Sequence, residues 1–561
     1  SDDESNLVFD VYLGTNSSSL SKVASNLTTS YYQPENLEVH TYHYWKVVAK
    51  DSSGTSASDV KILYKKWWWS YQVGQAISEV SADGEYTVLG GDDGVYLFAK
   101  GSNVPLWKSS QPSGGDMIYE IAISADGEYI AVAGSGSDDY IYFFSKYSNN
   151  YLWKRYSEHG NLNRVDISSD GQYVVGGTDQ GAIYFWNKQS NTPLWVHETG
   201  TETQIRDISI SADGNKIAIA SGEYVYLIDS NNNSLWEFKA GDDVYNVKIS
   251  ADGEYIITGD DDETIYFFSK DSNSPIWDYE SVGSVRKVDI SVDGEYIVVA
   301  TTEVVYVFDK DSSTPLWTYE MSGDCLDIHI SGDGKYVVVS GYNYEMVIFW
   351  DISSSTPLWT MTDTNLYHGG GSFNLDLSAN GRYISASGSS SSDNFHYFEN
   401  IEASEDFLLP VSPRNGNEVS SPQLIWFAGS DDRSSLTFDI YLDTDTDPTN
   451  LVANDITDLY YTPTGLDSDT TYYWKVVATD SSGTIISSIM NFHLLDDVEP
   501  NEIPELTDYN VSPNPAEYGE RVYFYSNFSD SDGYIADYSW TSSIDGFLSN
   551  SGNFSTDDLS A

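Results

Sequence analysis

Aspartate carboxylates in two short turns are the side chains of this sequence whose type and spacing best suit metal binding. One turn holds three consecutive aspartates, and the other holds three that alternate with threonine: Asp260, Asp261, Asp262, Asp443, Asp445 and Asp447. Carboxylate oxygens are preferred ligands of Ca²⁺. Neither turn has the spacing and the glycine of an EF-hand loop, so ordinary solvated turns are the alternative. Ca²⁺ is therefore a candidate ligand, and the sequence predicts no other cofactor.

Six asparagines stand in the N-x-Ser/Thr pattern that is glycosylated in secreted proteins. These glycosylation candidates are Asn16, Asn26, Asn232, Asn510, Asn527 and Asn553. A chain rich in serine and asparagine contains several such patterns by chance. They suit a secreted location without establishing it.

Covalent catalysis needs a base beside the nucleophile, and no recurring partner motif accompanies the eight histidines. The sequence has no H-E-x-x-H, no P-loop and no G-x-S-x-G between a strand and a helix. The single cysteine, Cys325, excludes an intramolecular disulfide, and its apolar surroundings predict a buried strand residue. We therefore predict a protein that is not an enzyme.

The overall charge and composition narrow the partner classes. The 561 residues include 27 lysines and arginines against 86 aspartates and glutamates, for a formal net charge of −59. Such a surface repels the phosphate backbone of nucleic acids. No run of about 18 apolar residues occurs, so no membrane span is expected. Abundant tyrosine, tryptophan and glycine favour strands over helices, which predicts an all-β protein.

A sequence repeat occupies residues 66–404. A Ser-x-Asp-Gly turn, with Asn-Gly in the last copy, recurs eight times and begins at Ser81, Ser124, Ser168, Ser211, Ser250, Ser291, Ser331 and Ser378. Repeats end at intervals of 40 to 46 residues, at Trp107, Trp153, Trp195, Trp236, Trp277, Trp317 and Trp359. A period of this length with four short strands predicts a β-propeller blade.

Strand counting predicts how the propeller closes. The last repeat ends after its third strand near Tyr397, whereas an additional strand around Trp69 precedes the first repeat. Pairing these two strands completes the last blade and removes an open sheet edge. We therefore expect eight blades, the last made of one strand from the start of the propeller and three from its end.

The repeat resembles WD-repeat and related propellers of cell-surface proteins. Trp350-Asp351 matches the name-giving dipeptide and Trp186-Asn187 is close, whereas the family's Gly-His pair is missing. Two propeller enzymes fit less well. The sialidase turn separates aspartate from glycine and adds a tryptophan, and the quinoprotein dehydrogenases have a vicinal cysteine pair that one cysteine cannot make.

Two copies of another module flank the propeller. Residues 1–55 align without a gap to residues 430–484, with 29 identical positions. In the second copy, the spacing of Leu466 and Tyr472 resembles the tyrosine corner of fibronectin type III modules. The resemblance implies immunoglobulin-like β-sandwiches.

The first copy lacks a counterpart of Trp426 and the strands around it. Phe9, Tyr12, Trp45 and Val47 match core positions of the second copy. Because an exposed apolar face is unfavourable, we expect strands from outside the numbered residues or from a neighbouring copy to cover it.

The last part of the chain resembles a PKD-type module. The matching residues are Ser512-Pro513-Asn514-Pro515, Gly519, the turn Asp530 to Gly533, and Tyr538-Ser539-Trp540. The expected organisation is a partial fibronectin type III-like module (1–65), the propeller (66–404), a second such module (405–495), and a linker with a partial PKD-like module (496–561).

This set of modules resembles the modular surface proteins of archaea and some bacteria, which form surface layers, sheaths, filaments or adhesins. The resemblance implies an extracellular structural or adhesive protein that contacts other copies of itself or other surface proteins. The alternative is a glycan- or protein-binding module of a larger secreted enzyme or receptor. A hydrolase with its site in the propeller funnel is a third hypothesis.

Overall fold

The structure is a computed structural model, and it describes most of residues 7–495 and five strands beyond them. The described residues are 7–28, 42–50, 54–64, 68–73, 76–110, 118–134, 140–200, 203–321, 323–341, 347–361, 374–388, 394–400, 403–404, 406–413, 416–430, 436–481 and 483–495, with strands of 505–556. All regular elements among them are strands. The all-β prediction is confirmed.

The chain begins with a single antiparallel sheet, which we call the N-terminal sheet. Its strands are β1 (Val8–Gly14), β2 (Ser21–Leu27), β3 (Tyr42–Lys50), β4 (Thr55–Ala57) and β5 (Lys61–Tyr64). The order is β2-β1-β3-β4, and β5 also pairs with β3.

Eight four-stranded antiparallel sheets follow and form a β-propeller. After β6 (Trp68–Gln72), blades one to four comprise β7 (Ala76–Val80), β8 (Tyr86–Gly91), β9 (Gly94–Ala99), β10 (Trp107–Ser109), β11 (Ile118–Ile123), β12 (Tyr129–Gly134), β13 (Tyr140–Ser145), β14 (Trp153–Tyr156), β15 (Leu162–Ile167), β16 (Tyr173–Thr178), β17 (Ala182–Asn187), β18 (Trp195–Glu198), β19 (Ile205–Ile210), β20 (Lys216–Ser221), β21 (Tyr224–Asp229) and β22 (Ser234–Lys239). Blades five to eight comprise β23 (Val244–Ile249), β24 (Tyr255–Asp260), β25 (Thr264–Ser269), β26 (Trp277–Glu280), β27 (Val285–Ile290), β28 (Tyr296–Thr301), β29 (Val304–Asp309), β30 (Trp317–Glu320), β31 (Cys325–Ile330), β32 (Tyr336–Gly341), β33 (Val347–Asp351), β34 (Trp359–Met361), β35 (Asn374–Leu377), β36 (Tyr383–Ser387) and β37 (Asn394–Glu399).

The ring closes as the strand count predicts. The eighth blade has the order β35-β36-β37-β6, and Tyr397 lies opposite Trp69 in its antiparallel register. The two rings stack with their centroids 5.4 Å apart. The closing strand therefore joins the first and last repeats through both backbone and side-chain contacts.

The Ser-x-Asp-Gly turns are held by their own side chains. In blade five, the Ser250 hydroxyl donates to Asp252 Oδ1 at 2.5 Å, and the Tyr255 amide donates to Ser250 Oγ at 3.0 Å. Gly253 has a φ of 73°, a value that L side chains rarely adopt. The turn sequence thus fixes the hairpin between the first and second strands.

The repeating tryptophans link neighbouring blades at the outer edge of the propeller. In six of them the indole Nε1 donates to a backbone carbonyl of the next blade: Trp107 to Lys146, Trp153 to Lys188, Trp195 to Ser230, Trp236 to Lys270, Trp277 to Lys310 and Trp317 to Ile352. These distances lie between 2.6 and 2.9 Å. Tryptophan therefore recurs because one side chain both fills the core and joins two blades.

Residues 407–494 form two sheets around one core, and we call them the C-terminal module. Its strands are β38 (Phe407–Ser412), β39 (Asn417–Val419), β40 (Leu424–Gly429), β41 (Thr437–Asp443), β42 (Leu451–Ile456), β43 (Tyr460–Tyr461), β44 (Thr470–Thr479), β45 (Thr484–Ile486) and β46 (Met490–Leu494). A three-stranded sheet, β38-β40-β43, faces the sheet β39-β46-β44-β41-β42. Trp426 and Trp474 are completely buried between them.

The corner that resembles fibronectin type III is present in this module. The hydroxyl of Tyr472 accepts a hydrogen bond of 2.8 Å from the backbone amide of Asp467. This is the contact that defines a tyrosine corner, because it ties the strand β44 to the segment that precedes it.

The N-terminal sheet has the same register as its counterpart in the C-terminal module. Phe9, Val11 and Leu13 lie opposite Ala49, Val47 and Trp45, as Phe438, Ile440 and Leu442 lie opposite Ala478, Val476 and Trp474. Among the described residues, however, no second sheet pairs with or faces β1–β5.

The prediction that Tyr12 is a core residue of this sheet is wrong. Tyr12 corresponds to Tyr441, which is only half-buried, because strand alternation places both tyrosines on the opposite face from Phe9. The Tyr12 ring instead lies 5.6 Å from Lys22 Nζ and 5.4 Å from Lys46 Nζ.

The final strands form two further small sheets. They are β47 (Glu505–Ser512), β48 (Val522–Ser529), β49 (Trp540–Ser542), β50 (Gly546–Ser549) and β51 (Asn553–Thr556). Strands β47, β48 and β51 form one sheet, while β49 pairs with β50.

Cys325 is confirmed as a buried strand residue. It is 1% exposed in β31, and burial raises the pKa of its thiol to about 12. Separately, none of the residues that the structure describes belongs to a helix long and apolar enough to cross a membrane.

Candidate functional site

The first strand of every blade borders the propeller axis, and together these strands enclose a central channel. The channel contains a cavity of about 380 Å³ lined by residues of all eight first strands. Polar side chains occur here because the inner edge of each first strand has no fifth strand to pair with.

The channel side chains form two tiers. The first tier lies four residues before the serine of each turn: Ile77, Glu120, Arg164, Asp207, Asn246, Lys287, Asp327 and Asn374. The second tier lies two residues before it: Glu79, Ala122, Asp166, Ser209, Lys248, Asp289, His329 and Asp376. The period-two spacing of a strand places both tiers on the same face.

Acidic and amide side chains of these tiers join each blade to the next. Each accepts a hydrogen bond from a backbone amide of the following blade, with these pairs and distances: Glu79 from Ile123 (3.0 Å), Glu120 from Val165 (2.7 Å), Asp166 from Ile210 (2.9 Å), Asp207 from Val247 (2.9 Å), Asn246 from Val288 (2.7 Å), Asp289 from Ile330 (2.9 Å), Asp327 from Leu375 (2.9 Å) and Asp376 from Val80 (2.7 Å). The ring of eight links is complete. It satisfies edge amides that would otherwise be buried without an acceptor.

Burial raises the pKa of several of these carboxyl groups. It raises the pKa of Glu120 to about 7 and that of Asp166 to about 6. Burial also raises the pKa values of Glu79 and Asp376, and for Glu79 the neighbouring carboxylates of Asp376 and Asp166 raise it further. These four groups therefore carry less negative charge near neutral pH than surface carboxylates do.

The second tier contains two cationic side chains among its acids. Burial disfavours the imidazolium of His329, yet the nearby carboxylates of Asp327, Asp376 and Asp289 outweigh it and raise its pKa to about 9. Its ring nitrogens lie 3.5 to 3.6 Å from those three carboxylates. Lys248 similarly has a raised pKa, because surrounding carboxylates outweigh its burial.

One mouth of the channel carries a second set of side chains, which we call the bulge ring. In blades two to seven, the register between the first and second strands shifts by one residue. The extra residues are Tyr119, Asn163, Arg206, Tyr245, Arg286 and Leu326. A bulge redirects its side chain out of the regular alternation, and all of these except Asn163 line the cavity.

The opposite mouth is closed by the propeller and the C-terminal module together. The second residues of the turns form blade-to-blade backbone hydrogen bonds, as from the Ala212 amide to the Ala251 carbonyl at 2.8 Å. Val411, Ile425 and Phe427 of the module pack on this ring of turns and are 0%, 2% and 8% exposed. The channel is therefore accessible from the bulge ring.

Strand β40 explains this docking. Leu424, Trp426 and Ala428 pack into the core of the module, whereas Ile425 and Phe427 pack on the propeller. The strand is apolar throughout because both of its faces are buried. The continuous apolar run LIWFAG is typical of a strand buried on both faces.

The three aspartates of the first set of calcium candidates make different contacts. Both oxygens of Asp260 accept hydrogen bonds, from the amide of Thr264 and the Tyr266 hydroxyl in its own blade and from the amide of Gly241 in the connection that precedes the blade. Asp261 lies 3.6 Å from Arg286, and Asp262 is exposed.

The second set lies in an exposed turn after β41. Asp443 accepts from the amide of Thr444, Asp447 is 2.7 Å from Lys475 Nζ, and Asp445 is exposed. Within the described ranges, no group of three or more His, Cys, Asp or Glu side chains is arranged to hold a metal ion. Both calcium sites remain predictions.

The glycosylation candidates differ in their surroundings. Asn16 and Asn26 are exposed, whereas Asn232 is half-buried and its Oδ1 lies 2.8 Å from His197 Nδ1. The backbones of Asn510 and Asn527 lie in β47 and β48, and that of Asn553 lies in β51. Glycosylation of all six remains a prediction.

Comparison with known families agrees with the propeller. The WD domain, G-beta repeat, matches residues 151–187, which run from β14 through the first three strands of the next blade. The family of unknown function DUF5711 matches residues 214–348. No curated protein matches the chain. Over these residues the chain is thus similar to WD repeats and to DUF5711.

Proposed function

We propose that this chain is an extracellular structural or adhesive surface protein that acts through protein–protein contacts of its β modules. In this proposal the modules beside the propeller are fibronectin type III-like, the last strands belong to a PKD-like module, and the protein is not an enzyme. The partners are other copies of the chain or other surface proteins.

The observation that carries the proposal is the apolar face of the N-terminal sheet. Val47 and Trp45 are partly exposed, whereas their counterparts Val476 and Trp474 are completely buried. The register of the two sheets is the same, so the difference does not come from the strands themselves; among the described residues, the C-terminal module has a second sheet over this face and the N-terminal sheet has none. Covering such a face is favourable by about 25 cal/mol per Å² of apolar surface.

The docked C-terminal module supports the same proposal. Its buried contact with the propeller shows one apolar surface of this chain already serving to hold two β modules together. A stiff pair of modules suits a protein that transmits or resists force, because relative motion would require this contact to open.

The test compares two neighbouring residues of β3 that lie on opposite faces. Val47→Asp places a charge on the apolar face, while Val48→Asp places the same charge on the other face. We expect the unmodified chain and Val48→Asp to associate in sedimentation velocity and to show ordered assemblies by electron microscopy, and Val47→Asp to remain monomeric. A monomeric unmodified chain, or equal behaviour of the two variants, would contradict the proposal.

A second candidate function is a binding module, and the accessible channel favours it. The bulge ring presents two arginines and two tyrosines at the mouth of a cavity of about 380 Å³. A monomeric chain with a defined soluble ligand would support this candidate over assembly.

A further inference from the structure

The channel concentrates positive charge in a strongly acidic protein. The whole chain has 27 lysines and arginines against 86 acidic residues. The residues that line the cavity include five of each kind and His329 as well. The ratio of lysines and arginines to acidic residues is thus about one to three in the whole chain and one to one in the lining of the cavity.

The acidic residues of the cavity are engaged in holding the blades together. Glu79, Glu120, Asp207, Asp327 and Asp376 each accept a backbone amide of the next blade. These bonds orient the carboxylates along the wall of the channel.

Each arginine of the bulge ring has one carboxylate nearby, at a distance longer than a hydrogen bond, which leaves N–H donors for a ligand. Arg286 is exposed, and its nearest carboxylate, that of Asp261, is 3.6 Å away, which is longer than a hydrogen bond. Arg206 is 3.7 Å from Asp243, and its buried Nε has no hydrogen-bond partner.

Flat aromatic surfaces lie beside these cations. Tyr119 is 44% exposed at the mouth, and the Arg206 guanidinium carbon lies over one face of the Tyr245 ring, 5.1 Å from its centre, which leaves the other face for a ligand. A tyrosine face packs on the apolar side of a sugar ring while its hydroxyl remains solvated. An arginine fork matches the two oxygens of a carboxylate.

We propose that the bulge ring and the first tier beneath it bind the carboxylate-bearing end of an acidic saccharide. Arg206 and Arg286 bind the carboxylate, and Tyr119 and Tyr245 pack on the sugar ring. A cavity of about 380 Å³ lies at the lower end of the usual range for ligand sites, which suits one or two sugar units. This inference deepens the second candidate function, and it does not depend on assembly.

The experiment measures binding of digalacturonic acid to the whole chain by calorimetry at physiological salt, with a neutral galactose disaccharide and inorganic phosphate as comparison ligands. Arg286→Ala and Arg206→Ala should each weaken binding about tenfold or more, as expected for loss of a charge-assisted contact. Arg155→Ala is the matched control, because Arg155 lies on the outer strand β14 beside Glu158, and it should bind as the unmodified chain does.

The outcomes separate the ligand classes. If the neutral disaccharide binds as tightly as digalacturonic acid, the carboxylate is not recognised. If inorganic phosphate binds as tightly, the site recognises an anion and not a saccharide. No binding of digalacturonic acid by a folded chain would also overturn the proposal. The assembly of the chain is measured separately by sedimentation, so failure of this inference is distinguishable from failure of the structural function.

Discussion

Single residues of the blade repeat carry more than one structural task. The glycine of each turn adopts a positive φ, and in seven of the eight turns it also lets a tyrosine of the preceding blade pack against the turn. A Cβ on Gly214 would lie 2.5 Å from Tyr173 Cδ2. In blade five the corresponding neighbour of Gly253 is Lys216, and its nearest atoms would lie 3.3 Å away.

This difference makes a matched test of two glycines possible. Both have a φ of 73°, so alanine at either position has the same backbone strain, about 1–2 kcal/mol. Gly214→Ala also has to displace the Tyr173 ring, which should add about 1–3 kcal/mol. Urea unfolding followed by tryptophan fluorescence should therefore show a larger loss of stability for Gly214→Ala than for Gly253→Ala. Equal losses would mean that backbone strain alone determines the role of these glycines.

At the scale of strands, the innermost strand of each blade is both a structural joint and the wall of the channel. Its polar side chains bond to the next blade, and in blades two to seven its bulge turns one further side chain toward the mouth. The same residues that close the ring thereby determine the charge of the cavity. A substitution in these tiers changes ring stability and channel charge together.

Because the two faces of strand β40 pack on different bodies, a substitution on the face toward the propeller should weaken the docking and leave the core of the C-terminal module intact. Phe427→Asp places an unpaired carboxylate in the contact with the propeller, which costs several kcal/mol if it stays buried. We expect the C-terminal module to undock while keeping its own core, so the maximum dimension measured by small-angle X-ray scattering should increase.

Ile486→Asp is the control for this variant, because Ile486 belongs to the same module and is 62% exposed. It should leave the scattering profile unchanged. Unaltered dimensions of Phe427→Asp at full stability of the module would show that the contact does not hold the two bodies together.

The strand pattern predicted the blades, their turns and the closing pair because each of these follows from local periodicity. The bulge ring was not predicted, since one additional residue such as Arg206 leaves the apolar pattern of its strand almost unchanged. The links between tiers and backbone amides were also missed, because a single sequence does not give the offset between neighbouring blades. For the same reason, Asp260 was interpreted as a calcium candidate, whereas its oxygens accept hydrogen bonds within its blade.

At the scale of the whole molecule, three sets of hydrogen bonds join neighbouring blades of the propeller, each at a different place. Carboxylates act at the axis, backbone amides act at the closed mouth, and tryptophan indoles act at the outer edge. Only the first set contains titratable groups. Proton binding in the channel therefore couples pH to the closure of the ring.

The direction of this coupling follows from the pKa shifts. A group whose pKa is higher in the folded chain contributes stability below its unfolded pKa and loses it as the pH rises through the folded value. The windows are pH 3.8 to about 6 for Asp166, 4.5 to about 7 for Glu120 and 6.5 to about 9 for His329. Asp327, whose pKa is lowered, acts in the opposite direction.

We therefore expect the propeller to be more stable at pH 5 than at pH 9, with a Tm higher by roughly 3–10 °C. Glu120→Gln keeps an oxygen that can accept the Val165 amide, and it should flatten only the part of the profile between pH 4.5 and 7. His329→Gln should flatten only the part between pH 6.5 and 9, where ordinary carboxylates are already ionised and the general repulsion of the acidic surface is constant. A Tm that rises with pH across this upper window, or a slope there that His329→Gln leaves unchanged, would show that the channel does not couple protons to stability.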